Sequence, residues 1–172
     1  MSPGSASANS YVATLSFSTP LTLGNGGSTT FDIENASGAA GTGYDTISAG
    51  GAVTITATSG SPFTINIESI SPGSGTPGAA TFNSAQSYQW TLLSAASISG
   101  FSASDFLLNS SSFSNSLGTG NFYLTSSSTD IYLNFQPVPE PSTWALLGVG
   151  AVALAVCGLR RRPRLASGAA KE

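Results

Sequence analysis

The sequence predicts an all-β body followed by one C-terminal transmembrane helix. Short runs between Tyr11 and Phe135 alternate apolar and polar residues, and clusters rich in Gly, Pro, Asn and Ser separate them. One uninterrupted apolar segment occupies residues 144–159. Alternation with a period of two is typical of half-buried strands, so we expect roughly seven to nine strands in the body.

The predicted strands are rich in β-branched and aromatic residues, which favour the extended backbone. In residues 63–70, for example, Phe63, Ile65 and Ile67 are expected to face the core, with polar residues between them. The clearest runs are residues 11–17, 29–33, 52–58, 63–70, 88–93, 121–124 and 130–135. Turns are expected at residues 24–27, 48–51, 59–62 and 71–78, where Gly and Pro provide the necessary backbone angles.

Residues 19–56 join short strands with Gly and Asn turns and contain a G-x-x-Y-D-x-I step from Gly41 to Ile47. This stretch resembles the terminal rungs of the β-helical repeats associated with autotransporters and other bacterial surface proteins. The resemblance implies a short β-solenoid end, which antiparallel hairpins would complete. No strict repeat period is visible, so a β-sandwich remains the alternative.

The charges are distributed very unevenly along the chain. The net charge is -3, there is no His, and every Lys and Arg follows Leu159. The predicted body, residues 11–136, therefore has no cation to neutralise phosphates, and we do not expect it to bind nucleic acid. The only cysteine, Cys157, lies in the apolar segment, so the body has neither a disulfide nor a thiol nucleophile.

The first ten residues carry no visible signal peptide. Residues 1–10 contain neither a basic stretch nor an apolar stretch, although Ala6-Ser7-Ala8 forms an A-x-A pattern. The segment is either the remnant of a signal-peptide region or a chance pattern in an Ala- and Ser-rich stretch. The low charge and the many hydroxyl groups are typical of exported surface proteins.

The predicted transmembrane helix is bounded by Trp144 and Leu159. An indole favours the headgroup region of a bilayer, and a cluster of arginines stays on the cytoplasmic side. The body is thus expected outside and residues 167–172 in the cytoplasm, with the helix as a membrane anchor. The predicted stop-transfer residues are Arg160, Arg161 and Arg162.

A Pro-Glu-Pro tripeptide, Pro139-Glu140-Pro141, directly precedes the apolar segment. Alternating prolines keep the backbone extended, so that a groove in a partner protein can bind it as a strand. The single carboxylate of Glu140 could bind in a basic pocket of that partner. Together with the span and the arginines, the tripeptide at residues 137–166 resembles the PEP-CTERM sorting signal. The resemblance implies an exosortase, an integral-membrane cysteine protease or transpeptidase, as the partner that recognises the tripeptide and removes the tail.

The same resemblance implies a route for the protein. The inner membrane would be a transient partner, and the body would reach the cell surface or the exopolysaccharide matrix. Residues 88–135 also resemble the segment often found before such signals, with W-x-L-L-x-A, G-F and G-x-F-x-L motifs and no known activity. A permanently anchored structural protein is the alternative.

No catalytic centre is predicted in the body. Without His there is no Ser-His-Asp triad and no imidazole metal ligand. Asp32 and Glu34, two apart on one strand face, would lie about 7 Å apart, as in an inverting glycosidase. We expect instead a solvated strand face, and therefore a protein that is not an enzyme.

Two binding alternatives remain open from the sequence. Calcium could take oxygen ligands from Asp45, Asp105 and Asp130, but turn capping is favoured and no cofactor or metal is expected. Sugar rings could stack on aromatic side chains, although at least one member of each pair is expected in the core. These pairs are Tyr88 with Trp90 and Phe122 with Tyr123. A carbohydrate-binding or carbohydrate-active module is therefore the functional alternative.

Overall fold

The computed structural model describes residues 11–138, and this part of the chain is all-β, as predicted. A single turn of 3-10 helix, Ala103–Asp105, is its one helical element. The strands are β1 (Thr14–Phe17), β2 (Leu21–Leu23), β3 (Ser28–Ile33), β4 (Thr46–Ile55), β5 (Phe63–Ser69), β6 (Tyr88–Ser99), β7 (Phe106–Ser112), β8 (Asn121–Ser126) and β9 (Asp130–Gln136).

The strands form two sheets. The six-stranded sheet has the order β1-β4-β6-β9-β8, and β2 pairs with β4 as well. The three-stranded sheet has the order β3-β5-β7. Every pair among β1 to β7 is parallel, whereas β9 runs antiparallel to both β6 and β8.

The chain passes three times through the same two sheets. It runs from β1 and β2 to β3, then from β4 to β5, and then from β6 to β7. Parallel neighbours require a crossover connection, and here the strand in the other sheet is part of that crossover. We call β1 to β3 the first coil, and β8, β9 and the part of β6 that pairs with β9 the hairpin end.

The core is one cluster of buried side chains drawn from both sheets. Strand β5 shows its construction: Phe63, Ile65 and Ile67 are buried, whereas the polar residues between them are partly exposed. Alternation along each strand therefore sends apolar side chains to the core, as the sequence predicts for residues 63–70.

The sequence prediction for residues 48–51 is wrong, because these residues belong to strand β4. The sequence predicts a turn for this Gly-containing stretch, but it lies inside β4. The pairing of β4 with β6 shifts register between Ala49 and Ala52, which indicates a β-bulge or a similar irregularity. A bulge inserts an extra residue without ending the strand, so the glycines are part of β4 and do not form a turn.

Two strands lie outside the clear alternating runs. Strand β2 has three residues, and β7 is dominated by Ser and Asn with an exposed Leu107. Pairing with β4 and β5 places them in the sheets, which single-strand patterns do not reveal. No helix within residues 11–138 is long and apolar enough to cross a membrane. The predicted transmembrane helix at 144–159 and the segments 1–10 and 167–172 lie outside the described residues.

Candidate functional site

The residues predicted to direct sorting lie outside the described part of the chain, which ends at Val138. Val138 is half exposed, and its carbonyl oxygen accepts a hydrogen bond from Thr119 Oγ1 at 2.7 Å. The chain therefore leaves the body beside the loop that precedes β8. The residues outside the description are Pro139, Glu140, Pro141, Trp144, Leu159, Arg160, Arg161 and Arg162.

The two acids considered as a glycosidase pair do not share a solvated strand face. Asp32 lies in β3 and is only 9% exposed, so the expectation of a solvated side chain is wrong for it. Glu34 follows the end of β3, and its Oε1 accepts a hydrogen bond from the backbone N–H of Gly73 at 2.7 Å. The acid directly opposite Asp32 is Glu68 on β5.

Asp45 is the most deeply buried carboxyl group in the described chain, with no exposed surface. Its Oδ1 accepts a hydrogen bond from the backbone N–H of Ala13 at 2.8 Å. Its Oδ2 accepts one from the backbone N–H of Asp32 at 3.3 Å. These donors are distant in sequence. The prediction that Asp45 caps the amides of a local turn is therefore wrong. It joins the chain before β1, strand β3 and the entry to β4.

The acid cluster of Asp32, Asp45 and Glu68 has unusual electrostatics. Burial, together with the charge of Glu68, raises the pKa of Asp32 from its ordinary 3.8 to about 6. Burial raises the pKa of Asp45 to about 7, against the opposing effect of the Ala13 N–H. The Oδ1 atom of Asp32 is buried without a hydrogen-bond partner.

The three acids considered for calcium lie in separate places. Asp45 belongs to the acid cluster, Asp105 closes the 3-10 turn, and Asp130 accepts hydrogen bonds from Ser94 and Thr129. Within residues 11–138, no group of three His, Cys, Asp or Glu side chains is arranged to hold a metal ion. The described residues therefore do not assemble the calcium site considered from the sequence.

The aromatic pairs considered for sugar stacking belong largely to the core. Trp90 is completely buried, and its Nε1–H donates to the carbonyl oxygen of Ala36 at 2.9 Å. The Tyr88 ring stacks on it with centroids 5.3 Å apart, and Phe122 is partly buried in the same cluster. Only Tyr123 of the four is exposed, at 38%.

The motifs within residues 88–135 serve packing in this structure. A Cβ atom at Gly120 would collide with the ring of Phe135, so this position has no room for a larger residue. Gly100 has a φ of +77°, and a Cβ there would lie 2.5 Å from the carbonyl oxygen of Ile55. Burial and close backbone approach thus explain the Trp and Gly positions of these motifs.

Comparison with known proteins identifies the C-terminal signal. A family model described as the PEP-CTERM protein-sorting motif matches residues 137–162. The prediction of this motif is therefore confirmed, and the match begins at the last residues of the described body. No match was found among curated proteins or among solved structures.

Proposed function

We propose that this chain, which carries a PEP-CTERM sorting motif at residues 137–162, is a non-catalytic surface protein that an exosortase processes. The motif implies recognition by an exosortase, and it is consistent with export through a membrane-anchored intermediate. The observation that carries the proposal is the position of the match, which starts where the β body ends.

Within this proposal, Pro139, Glu140 and Pro141 are the recognition residues. The extended prolines would present Glu140 to a basic pocket close to the membrane surface. The apolar segment that follows would hold the substrate at the membrane enzyme, and the arginines would stop translocation. The membrane anchor is then temporary.

The body is proposed as a structural or adhesive element of the cell surface or the extracellular matrix. Its three parallel passes support the interpretation of a short solenoid end completed by an antiparallel hairpin, rather than a sandwich. The lack of His and Cys in the body, the burial of Asp32 and the hydrogen bond from Gly73 to Glu34 support a role without catalysis.

Intact-mass measurement of the protein from its own host, with and without the exosortase, tests the proposal. We expect a chain trimmed near Pro141 only when the enzyme is present. Glu140→Gln should slow the trimming, whereas Glu172→Gln, which alters a carboxylate beyond the arginines, should leave it unchanged. A chain that ends at Glu172 in both hosts would overturn the proposal and indicate a permanent anchor.

Carbohydrate binding is the second candidate function, and one surface favours it. Tyr123 on β8 and Gln89 on β6 are both exposed. They lie on either side of the buried Asn134 of β9, which pairs in register with both and accepts a hydrogen bond of 3.0 Å from Gln89. An exposed ring and a nearby amide are groups that can stack on a sugar and bind its hydroxyls.

Binding of the full chain in detergent to a panel of polysaccharides tests this candidate. Tyr123→Ala should abolish any binding, and Tyr123→Phe should retain most of it because the ring remains. Binding that is unaffected by Tyr123→Ala would exclude this surface as the site.

A further inference from the structure

We propose that the buried carboxyl groups of Asp32 and Asp45 form a proton-operated latch, which holds the first coil closed in mild acid and loosens as the pH rises. Asp45 stands at the entry to β4 and accepts hydrogen bonds from Ala13 and Asp32. The backbone repeats the connection, because the N–H of Asp45 donates to Asp32 and that of Thr46 donates to Ala13. The latch therefore lies where the first coil meets the second.

No basic side chain can neutralise the latch from within the described body. Residues 11–138 contain no Lys, Arg or His. Glu68 on β5 faces Asp32, and Tyr44 precedes Asp45 and packs against Phe31. Strands β1 and β4 carry no titratable side chain. Every titratable group around the latch is thus either neutral or negative.

The hydrogen bonds leave Asp32, but not Asp45, incompletely satisfied when ionised. At Asp45 the two N–H groups favour the ionised form, and burial outweighs them. Both oxygens of Asp45 accept backbone N–H groups, whereas Oδ1 of Asp32 has no donor. An ionised carboxylate that is buried with an unpartnered oxygen is costly. A proton on Oδ1 of Asp32 removes that charge.

The sign of the pH effect follows from the raised pKa values of Asp32 and Asp45. A folded-state pKa above the unfolded value means that the folded protein binds the proton more tightly. The resulting stabilisation is fully present below the ordinary pKa of 3.8 and is lost as the pH rises through about 6 and about 7. When both groups ionise, their repulsion and that of Glu68 weaken the junction.

Hydrogen exchange of the full chain in detergent micelles, measured by mass spectrometry between about pH 5 and pH 8, tests the latch. Rates are normalised to those of the unfolded chain at each pH. We expect protection of peptides covering residues 11–46 to fall roughly tenfold or more over this range. Peptides covering β8 and β9 should change much less, because neither strand pairs with the latch residues.

Two variants separate the latch from a general effect of pH. Asp32→Asn, which cannot ionise, should weaken the pH dependence of residues 11–46, whereas the control Asp105→Asn should retain it in full. If Asp32→Asn folds poorly, the unaltered chain still tests the proposal, because protection of residues 11–46 can be compared with that of β8 and β9. Equal loss of protection in both regions, or none in residues 11–46, would overturn the proposal.

Discussion

The first coil and the hairpin end close the two sides of the six-stranded sheet with different chemistry. At the first coil, a buried carboxyl group of Asp45 connects backbone segments through hydrogen bonds. At the hairpin end, rings pack against one another around Phe135, with Phe82 at 4.9 Å and Phe122 at 5.3 Å between centroids. One end depends on a titratable polar group and the other on apolar contact.

This difference predicts that the two ends respond differently to pH and to loss of side-chain volume. Aromatic packing is insensitive to pH in the range where carboxyl groups titrate, because the side chains of Phe and Trp do not ionise there. The coil end should therefore weaken as the pH rises through about 6 and about 7, whereas the aromatic cluster of the hairpin end should weaken in this range only when its rings are removed.

Trp90→Ala should have the largest effect on the hairpin end. Removing this fully buried ring should lower the free energy of unfolding by about 3–5 kcal/mol and leave the Ala36 carbonyl without its donor. Urea unfolding at about pH 5 and pH 8 measures the loss. The loss should be the same at both pH values, and Trp90→Phe should cost less. A loss that varied strongly with pH would contradict the proposed separation of the two ends.

Gly43→Ala should disrupt the loop between the first coil and β4. A Cβ atom there would lie 2.5 Å from Cα of Gly38 and 2.8 Å from the carbonyl oxygen of Asn35. We expect a loss of about 1–3 kcal/mol in the free energy of unfolding, because two backbone segments must separate. The control is Gly60→Ala, where nothing lies within 4 Å of the added atom. Equal stability of the two variants would show that the close approach is unimportant.

Asp130→Asn should have the smallest effect, and its pH dependence should oppose that of the latch. Hydrogen bonds from Ser94 and Thr129 hold the pKa of Asp130 below its ordinary 3.8. Its stabilisation is therefore present above that value and lost as the pH falls through the lowered pKa. Solvent screens this partly exposed site, so we expect less than about 1 kcal/mol. Urea midpoints at about pH 3 and pH 6 measure it, and a difference only at the lower pH would contradict the assignment.

The class of the fold could be predicted from the sequence because alternation is a local signal. The alternation puts Ile65 and Ile67 on the core side of β5, as the structure does. It could not place Leu107 in a strand, since β7 is extended through its pairing with β5. The bulge in β4 could not be predicted either, because Gly in a strand resembles Gly in a turn when only the sequence is considered.

Of the candidate functional features, the C-terminal motif could be predicted from the sequence and the acid cluster could not. The C-terminal motif could be identified from Pro139, Glu140 and the residues that follow, because its parts are adjacent in sequence. The acid cluster could not, because its members are distant in sequence. Parallel pairing of β3 with β5 brings Glu68 to Asp32, and hydrogen bonds across the loop between β3 and β4 bring Asp45 there. The signal available beforehand was the lack of any basic residue that could pair with a buried acid.

The hydrogen bond from Thr119 to Val138 fixes where any attachment enters the body. Loads applied through the C-terminus would reach the antiparallel strands β8 and β9 first, and β1 and β2 last, since they lie at the other edge of the sheet. A force applied at the C-terminus would therefore act first on the hairpin formed by β8 and β9. It would reach β1 and β2 only after passing through β6 and β4.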